Sequence, residues 1–174
     1  MEKKIVIING TGGSGKDTFV EFVSKYTKVV NFSSIDKVKE IARMIGWDGG
    51  KTEKDRKFLS DLKVLTSEYN DMPFKSVCEK VEEFRNSSEE IMFIHIREPE
   101  NIQRAVLEFG AYTLLVKRKG HDNITSNYSD ASVDNYEYDL IIENDTLEEL
   151  ENRAKNFSSE LNELASHIMV KQKN

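Results

Sequence analysis

At 174 residues the chain has room for one domain with a substantial core. Its 25 Lys and Arg stand against 31 Asp and Glu, a net charge of −6, which argues against a protein that coats nucleic-acid backbones or anionic membrane; any phosphate contact has to come from a local site. The longest apolar run, Ile5–Ile8, is too short to cross a bilayer or to serve as a secretory segment after Lys3 and Lys4, so a cytoplasmic chain is expected, and a single cysteine, Cys78, excludes an internal disulfide.

Apolar, β-rich runs alternate with helical stretches along the chain. They predict strands at Lys4–Asn9, Val29–Phe32, Ile91–Ile96, Tyr112–Val116 and Asp139–Glu143, and helices at Lys16–Tyr26, Ile35–Ile45, Glu53–Tyr69, Phe74–Phe84, Glu100–Phe109 and about Thr146–Val170. Most of the strands are continuous apolar runs, the pattern of strands buried on both faces, so a parallel α/β sheet with right-handed crossovers and helices on both sides is expected. Pro73 and Pro99 each fall near the start of a predicted helix, where a missing N–H costs nothing.

The first strand runs straight into Gly10-Thr11-Gly12-Gly13-Ser14-Gly15-Lys16-Asp17-Thr18 and then into an amphipathic stretch with Phe19, Phe22 and Val23. Gly10 and Gly15 stand five apart with Lys16 directly after, the spacing of a P-loop, whose backbone N–H groups and helix N-terminus cradle phosphates while the lysine reaches the transferred one. Gly10, Gly12, Gly13, Ser14, Gly15, Lys16, Asp17 and Thr18 are therefore expected to bind ATP. The Mg²⁺-binding hydroxyl that usually follows the lysine is replaced by Asp17, and a hydroxyl arrives one residue later at Thr18. Both are candidate metal ligands, with stabilisation of the helix N-terminus as the alternative for Asp17.

The stretch of about 33–90 between the second and third strands exceeds what one crossover helix needs. Ser34 and Asp36 follow the second strand at the carboxyl edge, where open α/β sheets bind ligands, and a capped helix start is the alternative for Ser34. Arg43 and Arg56, on the next two helices, suit planar, bidentate contact with phosphate, with a solvated surface as the alternative. Trp47, in a glycine-rich turn, reads as a core wedge or a ring-stacking residue. Arg97, at the end of the third strand, is expensive to place there without an anion or carboxylate, and it is assigned to phosphate. After the fourth strand, Lys117-Arg118-Lys119-Gly120 opens a polar stretch, His121–Asn135, read as a mobile loop. Thr146–Glu149 is a capping box, and beyond it Leu147, Leu150, Ala154, Phe157, Leu161, Leu164 and Ile168 form one helical face that either seals the sheet or pairs with a second chain in a homodimer.

Three strings together carry a family resemblance. Gly15-Lys16-Asp17-Thr18 is similar to the GKDT of phage-type deoxynucleoside monophosphate kinases, and adenylate-kinase-like enzymes read GKGT at this place. Ile94-His95-Ile96-Arg97-Glu98-Pro99-Glu100-Asn101 resembles the third-strand D-x-R…E segment of the same kinases. Asp134-Asn135-Tyr136 with Asp139-Leu140-Ile141-Ile142-Glu143-Asn144-Asp145 resembles their D…V-I-x-N strand. Animal-type phosphomevalonate kinases have a similar layout.

The likeness covers nearly the whole chain and implies an α/β P-loop NTPase fold within one domain, 1–174. It implies a five-stranded parallel sheet in the order 2-3-1-4-5, helices on both faces, a helical acceptor-binding insertion over about 33–90 and a lid over about 118–136. The implied activity is transfer of the γ-phosphoryl of Mg²⁺-ATP to a phosphorylated acceptor, a nucleoside or deoxynucleoside monophosphate, with ATP and Mg²⁺ as cofactors and no nucleic-acid or membrane partner. On this reading Lys16, Arg97 and Arg118 are catalytic, Asn144 belongs to the ATP site, and Ser34, Asp36, Arg43, Arg56 and Arg97 serve the acceptor. A phosphorylated metabolite such as phosphomevalonate as acceptor, and a nucleotide-binding regulator or NTPase without efficient transfer, are the alternatives.

One position departs from the family pattern. An aspartate is expected where this chain has His95, which leaves Glu98 and Asp17 as candidate substitutes in metal coordination and a core histidine as the alternative role for His95. A phosphate acceptor arrives ionised and needs no base, whereas a hydroxyl wants a positioned carboxylate, so the missing aspartate favours a phosphorylated acceptor, with weakened activity as the alternative.

Overall fold

The computed structural model describes residues 3–118 and 133–172. All six residues of the first strand, β1 (Lys4–Asn9), are buried, as a strand with neighbours on both sides and helices on both faces must be. It pairs in parallel with β3 (Ile91–His95), Ile8 opposite His95, and with β4 (Tyr112–Arg118), Asn9 opposite Leu115. β5 (Leu140–Asn144) pairs with β4, and β2 (Val29–Ser33) completes a sheet in the order β2-β3-β1-β4-β5, the order expected. β1 is the central strand. The loop leaving its carboxyl end therefore lies mid-sheet, between the ends of β3 and β4.

Two compact units make up the chain, residues 1–31 with 88–174 and, separately, Phe32–Ser87. In the first, α1 (Lys16–Ser24) and the final helix, α6 (Leu147–Gln172), cover one face of the sheet. Val6, Ile8, Phe93, Leu114, Val116 and Ile142 present that face, and Phe19, Val20 and Val23 meet Leu150, Ala154, Phe157 and Leu161 over it. Phe19 stands edge-on to Phe157 at 5.1 Å and to Phe93 at 6.3 Å, while Phe93 and Phe157 stack at 5.7 Å. The apolar stripe of α6 is thus buried in the chain's own core from Leu150 to Leu161, whereas Leu147 is exposed. α5 (Pro99–Phe109) lies against β1 and β4 with Ile102 and Ala105 buried, so helices cover both faces.

The second unit holds α2 (Asp36–Met44), α3 (Glu53–Asn70) and α4 (Met72–Arg85). A reciprocal capping box starts α3: the Asp55 N–H donates to Thr52 Oγ1 at 3.2 Å and the Thr52 N–H to Asp55 Oδ2 at 2.9 Å. Asp71 alone separates α3 from α4, in the left-handed conformation at φ 59°, and Pro73 sits in the first turn of α4.

Several boundaries differ from expectation for physical reasons. β4 runs past Val116 through Lys117 and Arg118 because both pair with β5, opposite Glu143 and Asn144; Arg118 therefore belongs to a strand, not to the segment after it. The expected lid lies outside the described residues over 119–132, and Val133–Asn135 forms a single 3₁₀ turn. α1 ends at Ser24 because the N–H groups of Lys25, Tyr26 and Thr27 turn back to Phe22 and Val23. β3 stops at His95 and β5 starts at Leu140, one residue beyond Asp139, whose carboxylate is bonded to Thr113.

Candidate functional site

The glycines after β1 are set by space and by backbone angle. At Gly10, φ +153°, a Cβ would stand 2.5 Å from the Val116 carbonyl oxygen and 2.6 Å from Ser14 Oγ, so only glycine lets the loop pass this close to β4. Gly15, φ +98°, is the N-cap of α1, and a Cβ there would collide with the side-chain amide of Asn144. No side chain among the described residues caps α1, which leaves the N–H groups of its first turn for an anion, at the end of the helix where the dipole favours negative charge.

Ser14 is 1% exposed, and its Oγ has no hydrogen-bond partner among the described residues. A buried hydroxyl of this kind calls for a partner, and a phosphate oxygen supplies one. Lys16 is half-buried, with its ammonium 3.3 Å from the Thr11 carbonyl oxygen, so it is folded over the loop instead of extending into solvent. The Ser14 N–H closes the loop onto the same carbonyl at 3.2 Å. The residues present fit a polyphosphate.

Two strand ends support the loop. Asn144, the last residue of β5, donates Nδ2 to the Ser14 carbonyl at 3.1 Å. Asn9, the last of β1, accepts from the Gly10 N–H at 2.8 Å. Beneath them Thr113 and Asp139 exchange bonds: the Thr113 N–H and Oγ1 donate to Asp139 Oδ2 at 2.8 and 2.9 Å, and the Asp139 N–H donates to Thr113 Oγ1 at 2.9 Å. Sequence reading passes over Asn9 and Thr113, because nothing local distinguishes a polar residue at a strand end that is bonded from one that is solvated.

The other candidates of this unit gather around the loop. Arg97 is half-buried just after β3, and its carbonyl accepts from Asn9 Nδ2 at 3.4 Å, which brings it to the start of the loop. Arg118 is exposed at the end of β4, in register with Asn144. Asp17 is exposed and Thr18 half-buried in the first turn of α1. His95 Nε2 lies 2.7 Å from Asn31 Oδ1 and 3.9 Å from Asp17 Oδ1. Facing two oxygens, Nε2 meets both as a donor in its Nε2–H tautomer. Among the described residues no group of three His, Cys, Asp or Glu converges to hold a metal.

The remaining acceptor-side candidates belong to the second unit. Asp36 Oδ2 accepts from the Ser33 N–H at 2.8 Å. Ser34 is half-buried and does not cap α2, whose N-cap is Ile35 with no side-chain bond, so the capped-start reading of Ser34 is not what the helix uses. The Arg43 guanidinium lies 5.3 Å from the centroid of the Trp47 ring, a cation on an aromatic face, and Trp47 Nε1 donates to the Gly50 carbonyl at 3.2 Å. Arg56 is exposed, with Nε donating to the Lys51 carbonyl at 3.2 Å. No helix among the described residues is long and apolar enough to cross a membrane.

Among solved structures, the chain is similar to TT1252 of Thermus thermophilus, at 18% identity over 94% of this chain and 99% of that one, with a TM-score of 0.49. It is also similar to an unliganded sugar kinase of a Janibacter species, at 16% identity over 87% of this chain and 92% of that one, with a TM-score of 0.51. No protein-family profile and no curated protein sequence matches the chain. The shared fold, joined to an all-parallel 2-3-1-4-5 sheet with a glycine loop after its central strand, makes this an α/β P-loop NTPase fold.

Proposed function

We propose that the protein is a phosphotransferase that moves the γ-phosphoryl of Mg²⁺-ATP to a small phosphorylated acceptor, a nucleoside or deoxynucleoside monophosphate. The observation that carries this reading is the loop itself: a helix start entered through a left-handed glycine, which like the buried Ser14 hydroxyl has no side-chain partner among the described residues, and Lys16 folded over the same turn. A fold shared with a protein named as a sugar kinase is in keeping with phosphoryl transfer. The nature of the acceptor rests on the GKDT string, on His95-Ile96-Arg97-Glu98 at the place of the family's D-x-R…E, and on His95 standing where that pattern has a carboxylate.

In this mechanism the loop amides and the Ser14 hydroxyl hold the donor phosphates, and Lys16 exchanges its contact with the Thr11 carbonyl for a phosphate oxygen. Arg97 takes the acceptor phosphate in a two-pronged contact, and Arg118 adds positive charge beside the loop as negative charge spreads over the transferred group. The Thr18 hydroxyl and the Asp17 carboxylate are the residues that would hold Mg²⁺, and the ion would supply neutralisation of phosphate charge. Little covalent chemistry is left to the protein, so positioning and charge carry the rate. An acceptor phosphate needs no base, which suits a His95 whose Nε2 is engaged with Asn31 Oδ1.

A screen of ADP release from ATP across nucleoside monophosphates, deoxynucleoside monophosphates, phosphorylated alcohols and free sugars tests the proposal. ADP release that depends on a phosphorylated acceptor is the expected result. ATP binding without acceptor-dependent turnover would favour a nucleotide-binding regulator, and turnover with free sugars alone would exclude the anionic acceptor.

A further inference from the structure

Asn9 is fully buried at the end of β1, and both ends of its amide are bonded. Its Oδ1 accepts from the Gly10 N–H at 2.8 Å, and its Nδ2 donates to the Tyr138 hydroxyl at 2.8 Å and to the Arg97 carbonyl at 3.4 Å. The Tyr138 hydroxyl in turn donates to the Val133 carbonyl at 3.0 Å. From Gly10 through Asn9 and Tyr138 to Val133 every donor points the same way, the arrangement in which each hydrogen bond polarises the next. The amide has one workable orientation. Turned over, its NH₂ would face the Gly10 N–H, and its oxygen would face the Arg97 carbonyl.

Val133–Asp139 is bound to the same body at other points. Val133 is buried, and Asp139 is held by Thr113. The Tyr136 ring meets that of Tyr138 edge-on at 5.2 Å, and its hydroxyl donates to Gln103 Oε1 at 3.3 Å. The bonds through Asn9 reach the glycine loop itself. An apolar side chain would fill the end of β1 without the desolvation that a buried amide costs, so packing alone does not account for Asn9. What the amide adds is a link among three segments: the first peptide of the loop, the backbone of Arg97, and Val133–Tyr138.

We infer that Asn9 and Tyr138 are positioning residues that couple the phosphate loop to the Val133–Tyr138 segment, so that filling the loop stabilises the segment and loosening the segment loosens the loop. The coupling is reciprocal, as any linkage of two binding or ordering equilibria must be. Its nucleotide-dependent half rests on the proposed function; its nucleotide-free half does not.

Amide hydrogen exchange by mass spectrometry on the wild type and Tyr138→Phe, free and saturated with ADP, tests both halves. Phenylalanine keeps the ring and its volume and removes only the hydroxyl that joins Asn9 to Val133. In the free protein, Tyr138→Phe is expected to speed exchange several-fold over both 133–138 and 10–16, with Ile91–His95 unchanged as internal reference. ADP is expected to slow both segments in the wild type, and only 10–16 in the variant. Faster exchange confined to 133–138, or an equal rise in all three segments, would overturn the coupling. If ADP protects neither segment in the wild type, the nucleotide reading fails, and the free-protein comparison still decides the coupling.

Discussion

Asn144 donates its side-chain N–H to the Ser14 carbonyl at 3.1 Å across 130 residues of sequence, so the edge strand of the sheet holds the glycine loop from the side. The fit is mutual, since any side chain on Gly15 would occupy the space of that same amide. Asn144→Asp removes the donor and places a negative charge against a carbonyl oxygen beside the phosphates. ADP should bind roughly tenfold more weakly, which is about 1.4 kcal/mol. Calorimetric titration measures it, and an unchanged Kd would show that Asn144 does not support the loop.

Gly15 and Gly12 make a contrasting pair within one turn. Gly15 is left-handed at φ +98° and hemmed in by Asn144, whereas a Cβ at Gly12 meets nothing within 4 Å. Gly15→Ala should cost at least the about 1–2 kcal/mol of a left-handed L-residue, lower Tm by several degrees and abolish ADP binding. Gly12→Ala should leave Tm within about a degree, because a substitution that meets open space perturbs little. Equal effects at the two positions would contradict the loop geometry.

Arg97 and His95 leave the same strand end with different tasks. Arg97→Lys keeps the charge and loses the planar fork, so the KM for the acceptor should rise about tenfold or more at fixed ATP. His95→Asn should be mild, because the imidazole Nε2 is engaged with Asn31 Oδ1 and an ionised acceptor asks for no base. Acceptor saturation curves for both variants provide the measurement. A large loss at His95 with none at Arg97 would point to a hydroxyl acceptor and a histidine base.

Reading the sequence located what is local. The loop is legible because phosphate binding demands a fixed spacing of Gly10, Gly15 and Lys16 within one turn, and the buried strands are legible because parallel strands covered on both faces are continuously apolar. The supports were not legible in the same way. Asn9 reaches Tyr138 across 129 residues, and Thr113 meets Asp139 across 26, so each partner looks like an ordinary polar residue in its own neighbourhood. Arg118 looked like the start of a loop because Lys117 and Arg118 break the apolar run; pairing with β5 at the sheet's exposed end lets a strand end in charged residues. For Ser34, composition leaves acceptor contact and a helix cap both open, and of the two the cap is not what α2 uses, since the Asp36 carboxylate bonds the Ser33 N–H in the turn before it.

The second unit carries a pH-dependent element in its capping box. The Thr52 hydroxyl and backbone N–H both bond the Asp55 carboxylate and hold its pKa below the ordinary value. A depressed carboxylate stabilises the fold above its unfolded pKa of about 3.9, and that contribution is lost as pH falls through the lower folded value. Amide exchange at the start of α3 should therefore quicken only below about pH 4 in the wild type. In Asp55→Asn it should already be faster at pH 7 and show no such acid step; an acid step that survives the substitution would assign it to another group.

The central claim is that this chain delivers the terminal phosphoryl of ATP to a phosphorylated acceptor through the loop after β1. Following the label from [γ-³²P]ATP, with Mg²⁺ and the acceptor that supports ADP release, tests it most directly. The account predicts label on the acceptor as a diphosphate, none without Mg²⁺, and a loss of at least about a hundredfold in Lys16→Ala with Tm within a few degrees of wild type. Label recovered only as inorganic phosphate, or transfer undiminished in Lys16→Ala, would contradict it.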